Sequence, residues 1–264
     1  MEFIDKPTDV ILGSQPMEEV FIGSDLFFRR WGDKLRLKFK PGTGSVTYKV
    51  NGTNALNQGE TITDNVPENG EYLKVFDRKP TGFYEAFLNN SDLTDIEEIP
   101  NLPNNSISYA GMFNGCSGLT SVTLKNIHFG SSSNMSIMFA NCSGLKYLDL
   151  STENETICSV GFTNGCDELE TIVLDNWTLG TGNNQAMTMF LYSRNLKNIK
   201  GRITVKDSLN LYQLSSLTHD SAMNLINGLS DDVTGHTLQF SEETKSTLSE
   251  EEIKIAKDKG WNIL

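Results

Sequence analysis

Apolar residues recur through the middle of the chain with a nearly constant spacing. Five segments share one pattern: a phenylalanine, a leucine six or seven residues later, and another aliphatic residue three positions after that leucine. Because alternate residues of a β-strand point to the same side of a sheet, the pattern predicts one short strand per segment, with its apolar side chains on a single face. Successive segments are 26, 26, 24 and 27 residues apart, measured between their first leucines, which are Leu93, Leu119, Leu145, Leu169 and Leu196.

The length of this repeat predicts an architecture. Copies of about 20–29 residues that end in L-x-x-L-x-L are typical of a leucine-rich-repeat solenoid, in which each copy buries its leucines only against its neighbours. We therefore predict an α+β, mainly β fold. Its centre would be a leucine-rich-repeat solenoid of about five 24–27-residue units, preceded by a small β domain and closed by an α/β cap.

The hydrophobic pattern outside the repeats divides the chain further. Residues 35–80 alternate apolar and polar positions between turn signals, which predicts the strands of a small β-sandwich-like domain. Two brief apolar runs that each end in Gly-Ser precede it and predict a β arm that attaches to something larger. The predicted segments are an N-terminal arm at 1–34, the β domain at 35–80, the repeats at 81–205 and a helix-strand cap at 206–264.

The last segment carries helix signals as well as strand signals. Apolar residues at 222, 225, 226 and 229 would lie on one face of a helix that spans 218–229. Ser249 and Glu252 have the spacing of a capping box, which predicts a second helix that runs to Lys259 and stops at Gly260. Strands are predicted at 237–240 and 261–264, so helix and strand alternate in the cap.

Three of the four cysteines occupy the same place in their repeats. Cys116, Cys142 and Cys166 each precede the first leucine of their copy by three residues. Stacked copies would bring these positions into one column in the core, where a free thiol packs as a small apolar group. The pattern favours this buried column over a disulfide. It also favours the column over a metal site, because there is no C-x-x-C pair and no nearby histidine.

Candidate chemistry is sparse elsewhere in the chain. The histidines, His128, His219 and His236, lack neighbours at the spacing of a catalytic triad or a metal site. Phosphate-binding loops, nucleophile elbows and H-E-x-x-H motifs do not occur. We therefore predict a protein that is not an enzyme, with no catalytic residue, no cofactor and no metal. An enzyme acting on carbohydrate stays open as a third possibility, although it would need a carboxylate pair across a cleft.

Charge and hydropathy limit the partners. The chain has 22 basic and 34 acidic residues and a net charge of −12, which argues against nucleic acid, since that partner needs clustered Lys and Arg. Apolar runs never reach the length of about 18 residues that marks a membrane span, so none is predicted. Residues 1–7 lack the basic and apolar stretches of a secretory leader, and we expect no export by that route unless a leader has been removed.

The positions between the leucines of each predicted strand are the best candidates for binding. Their side chains point away from the leucines and are free to contact a partner. Tyr147 lies at the centre and would be a natural anchor, because tyrosine offers a large contact area at a low entropic cost. A soluble sheet face without a partner is the alternative interpretation. The candidates form two columns, the first of Asp95, Ser121, Tyr147, Thr171 and Asn198, the second of Glu97, Thr123, Asp149, Val173 and Lys200.

The repeats also resemble a known family. The phrase Met-Phe-x-x-Cys-Ser-Gly-Leu, followed by the apolar positions of the strand, stands at 112–124 and 138–150 and is similar to the BspA-like class of bacterial leucine-rich repeats. The fourth copy departs by one residue inserted between Phe162 and Cys166, and the fifth has Ser193 in place of the cysteine. The resemblance implies surface adhesion and partner binding, without a shared catalytic residue.

Two shorter phrases resemble bacteriophage proteins. The Leu-Gly-Ser and Ile-Gly-Ser-Asp-Leu phrases within 12–26 are similar to N-terminal segments of phage and prophage tail-associated proteins. The stretch 217–261 resembles the ends of repeat proteins encoded in phages and mobile elements. Together with the missing leader, these phrases imply a protein that is assembled inside a cell and released by lysis.

The expected function follows from these resemblances. We expect a structural or binding protein of a bacteriophage virion, a tail, fibre or decoration component, that presents its repeat face to a protein or glycan on a host surface or to a virion partner. The N-terminal arm would contact other virion proteins, and a homo-oligomer is left open. The alternative is a BspA-like bacterial adhesin at the cell surface or outside the cell, which would bind a host protein or glycan.

Overall fold

The computed structural model describes the greater part of the chain. Backbone alone is described for residues 11–12, 15–16, 19–22, 25–29, 125–127 and 158. Backbone and side chains are described for residues 34–76, 80–100, 107–124, 129, 134–152, 156–157, 161–180, 189–231 and 235–264. Within these ranges the protein is mainly β, with seven small sheets and three short helices.

The strands of the first part of the chain pair antiparallel. Two separate hairpins join β1 to β2 and β3 to β4, a third joins β6 to β7, and β5 lies between β8 and β9. The strands predicted within 35–80 are thereby confirmed. The bounds are β1 Ile11–Leu12, β2 Gln15–Pro16, β3 Glu19–Ile22, β4 Asp25–Arg29, β5 Lys34–Phe39, β6 Ser45–Val50, β7 Glu60–Asn65, β8 Glu71–Val75 and β9 Leu93–Glu98.

The strands after residue 120 pair parallel. They form a four-stranded sheet β10-β11-β13-β15 and two three-stranded sheets, β12-β14-β16 and β17-β18-β19. The bounds are β10 Ser121–Ile127, β11 Tyr147–Thr152, β12 Thr156–Cys158, β13 Thr171–Val173, β14 Trp177–Leu179, β15 Asn198–Lys200, β16 Ile203–Val205, β17 Leu209–Leu211, β18 Thr237–Phe240 and β19 Asn262–Ile263.

The predicted fold class is wrong. In place of a leucine-rich-repeat solenoid of about five units between a β domain and a cap, the chain forms a series of small sheets with both antiparallel and parallel pairing. The strand of the first predicted unit, β9, pairs antiparallel with β5 and is not hydrogen-bonded to β10. The leucine spacing determines which face of a strand is buried, but it does not determine which strand lies beside it, and this is the physical reason for the error.

The core is one continuous cluster that extends from Leu35 to Trp261. Its centre is a series of aromatic rings, each packed against the next along the chain. The ring centroids are 5.0 Å apart between Tyr48 and Phe87, 5.7 Å between Phe87 and Phe113, and 5.4 Å between Phe113 and Phe139. The phenylalanines of the first three segments therefore bury against one another, so the turns before the strands contribute to the core together with the strands.

Those turns are linked by backbone hydrogen bonds. The amide of Phe87 donates to the carbonyl of Met112 over 2.8 Å, and the amide of Phe113 donates to that of Met138 over 2.9 Å. Each turn also contains a residue with positive φ. It stands two positions after the phenylalanine, or three positions after it in the copy with the inserted residue. These residues are Asn89, Gly115, Asn141, Gly165 and Tyr192. Asn and Gly adopt this left-handed conformation most readily, which explains four of the five residues.

The helices lie at the end of the chain, within the part that was predicted as a cap. They are α1 (His219–Asn227), α2 (Glu242–Lys245) and α3 (Glu250–Asp258). Thr218 caps α1, and the predicted capping box of Ser249 and Glu252 is present on α3. The helices predicted at 218–229 and after Ser249 are confirmed, as is the strand at 237–240. The short helix α2 and the strand β17 were not predicted, since each offers too few residues for a periodic pattern.

Two further predictions concern the ends of the chain and the membrane. The helices that the structure describes are all too short to cross a bilayer, which agrees with the prediction of no membrane span. The backbone at 11–29 forms the two hairpins of the predicted arm, whereas residues 1–7, examined for a leader, and the side chains of the arm lie outside the described residues. The four-segment division stays a prediction.

Candidate partner-binding face

The parallel sheet brings four members of each predicted column side by side. Its register pairs Ser121 with Tyr147, Tyr147 with Thr171, and Thr171 with Asn198. The second column is aligned in the same way, through Thr123, Asp149, Val173 and Lys200. Between the columns lie buried aliphatic residues, Val122, Leu148, Ile172 and Ile199. The two columns therefore share the face of the sheet that is turned away from the core.

The first members of the columns are placed differently. Asp95 and Glu97 lie on β9, where both carboxylates form ion pairs with Lys38 of β5. The hydrogen bond to Glu97 is the main cause that raises the pKa of Lys38. An open depression of about 350 Å³ separates this pair from Ser121 and Thr123 on β10. Strands β9 and β10 are thus neighbours that are not hydrogen-bonded to each other, and the depression lies between them.

Tyr147 and Asp149 form a hydrogen-bonded cluster at the centre of the face. The Tyr147 hydroxyl donates to Asp149 Oδ2 over 3.4 Å, and the Ser151 hydroxyl donates to Asp149 Oδ1 over 2.8 Å. Partial burial, and then the charge of Asp149, raise the pKa of Tyr147 above its usual value. The phenol therefore stays protonated at neutral pH and remains a hydrogen-bond donor.

The two residues of this cluster differ in exposure. Tyr147 is partly exposed, whereas Asp149 is only 5% exposed. A carboxylate that is buried and hydrogen-bonded on both oxygens has little surface left for a partner. Tyr147 is therefore the more accessible of the two, and its role as a contact residue stays a prediction.

The far end of the face is polar and lies next to helix α1. The Asn198 amide donates to the Thr171 hydroxyl over 3.1 Å, which joins two neighbours of the first column. Lys200 is exposed, and Val173 is half-buried. A second open depression, of about 310 Å³, begins at Asn198 and Lys200 and extends to Asp220 of the helix. The face therefore continues from the sheet onto the first turn of α1.

The cysteines are buried as predicted. Cys116, Cys142 and Cys166 are free thiols without solvent exposure. Each thiol donates to the carbonyl of a phenylalanine in the preceding turn, over 3.1, 3.1 and 3.0 Å respectively. Burial raises the pKa of Cys116 to about 12. A thiolate is thus strongly disfavoured at Cys116, which suits packing and not nucleophilic chemistry. The side chain of Cys158 lies outside the described residues.

The histidines that the structure describes take part in local contacts. His219 Nε2 lies 3.0 Å from Glu252 Oε1, a contact that joins α1 to α3. The ring of His236 packs against Trp261 with 5.3 Å between centroids. His128 lies outside the described residues. Among the residues whose side chains are described, His, Cys, Asp and Glu form no group with the arrangement of a metal site.

Comparisons with known proteins were made at the levels of family, sequence and structure. No match was found in any of them.

A second group of exposed side chains is not apparent from the hydrophobic pattern of the sequence. Tyr192 and Tyr212 are 45% and 49% exposed, and both lie outside the strand columns. Tyr192 occupies the place in its turn where the other copies carry Asn or Gly. Alignment of the five copies on this position, instead of on the leucines alone, would have shown the exception.

Proposed function

We propose that this chain is a non-enzymatic binding protein of a bacteriophage virion, which uses the outward face of its parallel sheet to contact a protein or glycan on a host surface. The face is the part of strands β10, β11, β13 and β15 that carries the two columns. The N-terminal hairpins, β1–β2 and β3–β4, would attach the chain to other virion proteins. A virion location is part of the proposal.

One observation carries the binding role. Tyr147 is a partly exposed aromatic residue that is flanked in register by Ser121 and Thr171 and is held by Asp149. An aromatic anchor with a fixed orientation, surrounded by small polar residues, is typical of recognition surfaces, because little side-chain entropy is lost on binding.

The virion location has separate support. The phrases at 12–26 resemble segments of phage tail-associated proteins. The backbone at 11–29 folds into two hairpins that pair only within themselves among the described residues. Hairpins of this length are marginal in isolation, and docking on a larger assembly would stabilise them.

The Tyr147→Ala variant tests the binding role. We expect binding of the fluorescently labelled full chain to intact host bacteria to weaken at least about tenfold, because the anchor of the face is lost. The free energy of unfolding should change by less than about 1 kcal/mol, since the ring is partly exposed. Flow cytometry of labelled cells and urea denaturation measure the two quantities.

Two further variants control this experiment. Tyr84→Ala removes a partly exposed tyrosine from a turn away from the sheet face, and binding should be unchanged. Asp149→Ala removes a buried carboxylate, and it should lower stability together with binding. Equal binding by the Tyr147→Ala variant and the unaltered chain would contradict the proposed face.

The location is tested by fractionation of a lysate in which phage particles have been produced. An antibody against the chain should detect it in the band of intact particles after density-gradient centrifugation. Recovery in the envelope fraction of cells would instead support the adhesin alternative. Recovery in neither particles nor envelope would contradict both.

A further inference from the structure

Two exposed tyrosines lie close to each other on the turn side of the molecule, away from the sheet face. Tyr192 belongs to the turn before β15, and Tyr212 follows β17 directly. A single glutamine joins them, since the Tyr192 amide donates to Gln213 Oε1 over 3.3 Å and Gln213 Nε2 donates to the Tyr212 hydroxyl over 2.7 Å. We call Tyr192, Arg194, Tyr212 and Gln213 the tyrosine patch.

The backbone at Tyr192 is the last of a series. In the preceding turns, the amide of the residue with positive φ donates to a carbonyl of the following turn, as Asn141 does to Asn164 over 2.7 Å and Gly165 does to Leu191 over 2.9 Å. At Tyr192 the side chain of Gln213 takes the place of that carbonyl. Gln213 therefore ends the ladder of turns and at the same time positions Tyr212.

The residue type at this position is unfavourable for the backbone. Tyr192 has φ 63°, whereas the residues at the same place in the other turns are Asn89, Gly115, Asn141 and Gly165. Asn and Gly tolerate the left-handed conformation, while a tyrosine there is strained. Asparagine would end the ladder equally well with less strain, so folding alone does not account for the tyrosine. Glu85 and Ile137 of these turns also have positive φ, but they are only partly exposed, so the exposed ring singles out Tyr192.

The side chains of the patch are held in place and remain accessible. The Arg194 guanidinium lies 5.5 Å from the centroid of the Tyr192 ring, and its side chain is 60% exposed. Its contact with Asp167 is long, at 3.9 Å, so it keeps hydrogen-bond donors available. The Tyr212 hydroxyl accepts from Gln213 and retains its own proton for donation. The patch thus offers two aromatic rings framed by fixed donors.

We propose that the tyrosine patch is a saccharide-binding site. A pyranose ring has a flat face of C–H groups that packs on an aromatic ring, and a rim of hydroxyls that bonds to amide, guanidinium and phenol groups. Tyr192 and Tyr212 supply the rings, and Arg194, Gln213 and the phenols supply the polar partners. The Arg194 donors also fit the carboxylate of an acidic sugar.

The composition around the patch favours a saccharide over a protein partner. A stable protein interface covers about 800 Å² on each side and has an apolar centre. The exposed neighbours along the chain are polar, and they are Arg194, Asn195, Ser215 and Ser216. Two isolated rings in a polar surround match the size of one or two sugar units and not that of an apolar interface core. This site is separate from the sheet face, and it does not depend on the function proposed for that face.

The Tyr192→Asn variant gives the sharpest test. We expect the full chain to bind at least one member of an array of immobilised neutral and uronate-containing polysaccharides, and the variant to bind it at least about tenfold more weakly. The midpoint of thermal unfolding should rise by about 2–4 °C, because asparagine relieves the backbone strain. If Tyr192 had only a structural role, the Tyr192→Asn variant would instead have a lower midpoint of thermal unfolding.

A second set of variants separates this site from the sheet face. Tyr212→Ala leaves the backbone at 192 unchanged and should weaken polysaccharide binding as well, while Tyr84→Ala should not. Tyr147→Ala should retain polysaccharide binding. If Tyr147→Ala abolishes that binding and Tyr192→Asn does not, the saccharide binds to the sheet face and the tyrosine patch is refuted. Failure of the unaltered chain to bind any polysaccharide of the array would also overturn the proposal, and it would leave the binding of host cells by the sheet face untouched.

Discussion

The buried thiols show how one residue type can repeat in a core without chemistry. The thiol of Cys142 donates to the carbonyl of Phe113, and in the next turn but one the hydroxyl of Ser193 donates to the carbonyl of Thr163 over 2.7 Å. The position therefore requires a small donor, and sulfur is not essential.

The Cys142→Ser variant tests this requirement. It should change the free energy of unfolding by less than about 1 kcal/mol, because serine keeps the hydrogen bond and nearly the same volume. The Cys142→Leu variant should lose about 1–3 kcal/mol, because the larger side chain does not fit a fully enclosed site. Urea denaturation monitored by circular dichroism measures both. A serine variant as unstable as the leucine variant would show that polarity at this site is harmful.

At the scale of single residues, the burial of the cysteines could be predicted from the sequence, whereas two polar details could not. The cysteine column could be predicted because all members share one distance from a leucine. The burial of Asp149 could not be predicted, because it depends on contacts of the carboxylate with Tyr147 and Ser151. The positive φ of Tyr192 could not be predicted either. It is set by hydrogen bonds to other turns, and the hydrophobic spacing does not depend on it.

At the scale of elements, the hairpin β6–β7 is anchored to β8 by a partly buried polar network. Asp64 of β7 accepts hydrogen bonds from Tyr72 over 2.6 Å, Tyr48 over 3.2 Å and Lys74 over 3.2 Å. The Tyr72 hydrogen bond is the main cause that lowers the pKa of Asp64. The pKa of Tyr48 is raised to about 12, mainly by burial. The network thus stabilises a carboxylate and two neutral phenols.

The Asp64→Asn variant tests the network. A carboxyl group whose pKa is lowered by folding stabilises the protein above its unfolded pKa of about 4, and this contribution is lost as the pH falls through the folded value. We expect the variant to be less stable by about 1–3 kcal/mol at pH 7, and the difference to shrink below about pH 4. Thermal unfolding between pH 3 and pH 7 measures the dependence.

The control for this variant is Asp92→Asn. Asp92 pairs with Lys40 at an exposed site, with its side chain 50% exposed, so its replacement should have little effect at either pH. A difference between the Asp64→Asn variant and the unaltered chain that stays constant down to pH 3 would contradict the role of the charge.

Sequence patterns predicted the elements better than their pairing. The strands β5, β6, β10, β11 and β18 follow from alternation and leucine spacing alone. The strand that pairs with β9 does not follow from these patterns, because Leu93 and Ile96 would be buried equally well beside β5 or beside β10. Arg36 and Lys38 of β5 form ion pairs with Glu98 and Glu97 of β9, and these exposed pairs favour this pairing by a small amount. Charge pairs between distant segments are not visible in a periodicity.

At the scale of the whole molecule, the continuous core joins segments that the sequence divides. β5 lies in the predicted domain at 35–80, yet it pairs with β9 of the predicted repeats. The described buried residues from Leu35 to Trp261 belong to one cluster. We therefore expect residues 35–264 to unfold as a unit, since removal of any one sheet exposes the core of the next.

A Trp31→Phe variant makes this expectation measurable. Its fluorescence comes from Trp177, in β14, and Trp261, directly before β19, and both are buried. Denaturation curves from fluorescence and from far-ultraviolet circular dichroism should coincide. A circular-dichroism transition that precedes the fluorescence change would show that the antiparallel sheets unfold separately.

The strand β8 has a consequence for the protein in concentrated solution. In the described part of the chain it pairs only with β5, and Leu73 and Val75 on its outer face are 48% and 47% exposed. Strands of this kind invite aggregation through edge-to-edge association. Glu71 is also exposed on this outward face of β8, and its charge must be desolvated before a second strand can pair with the open edge. Protection of the edge thus relies on repulsion between copies of an acidic chain, and this repulsion weakens as ionic strength rises.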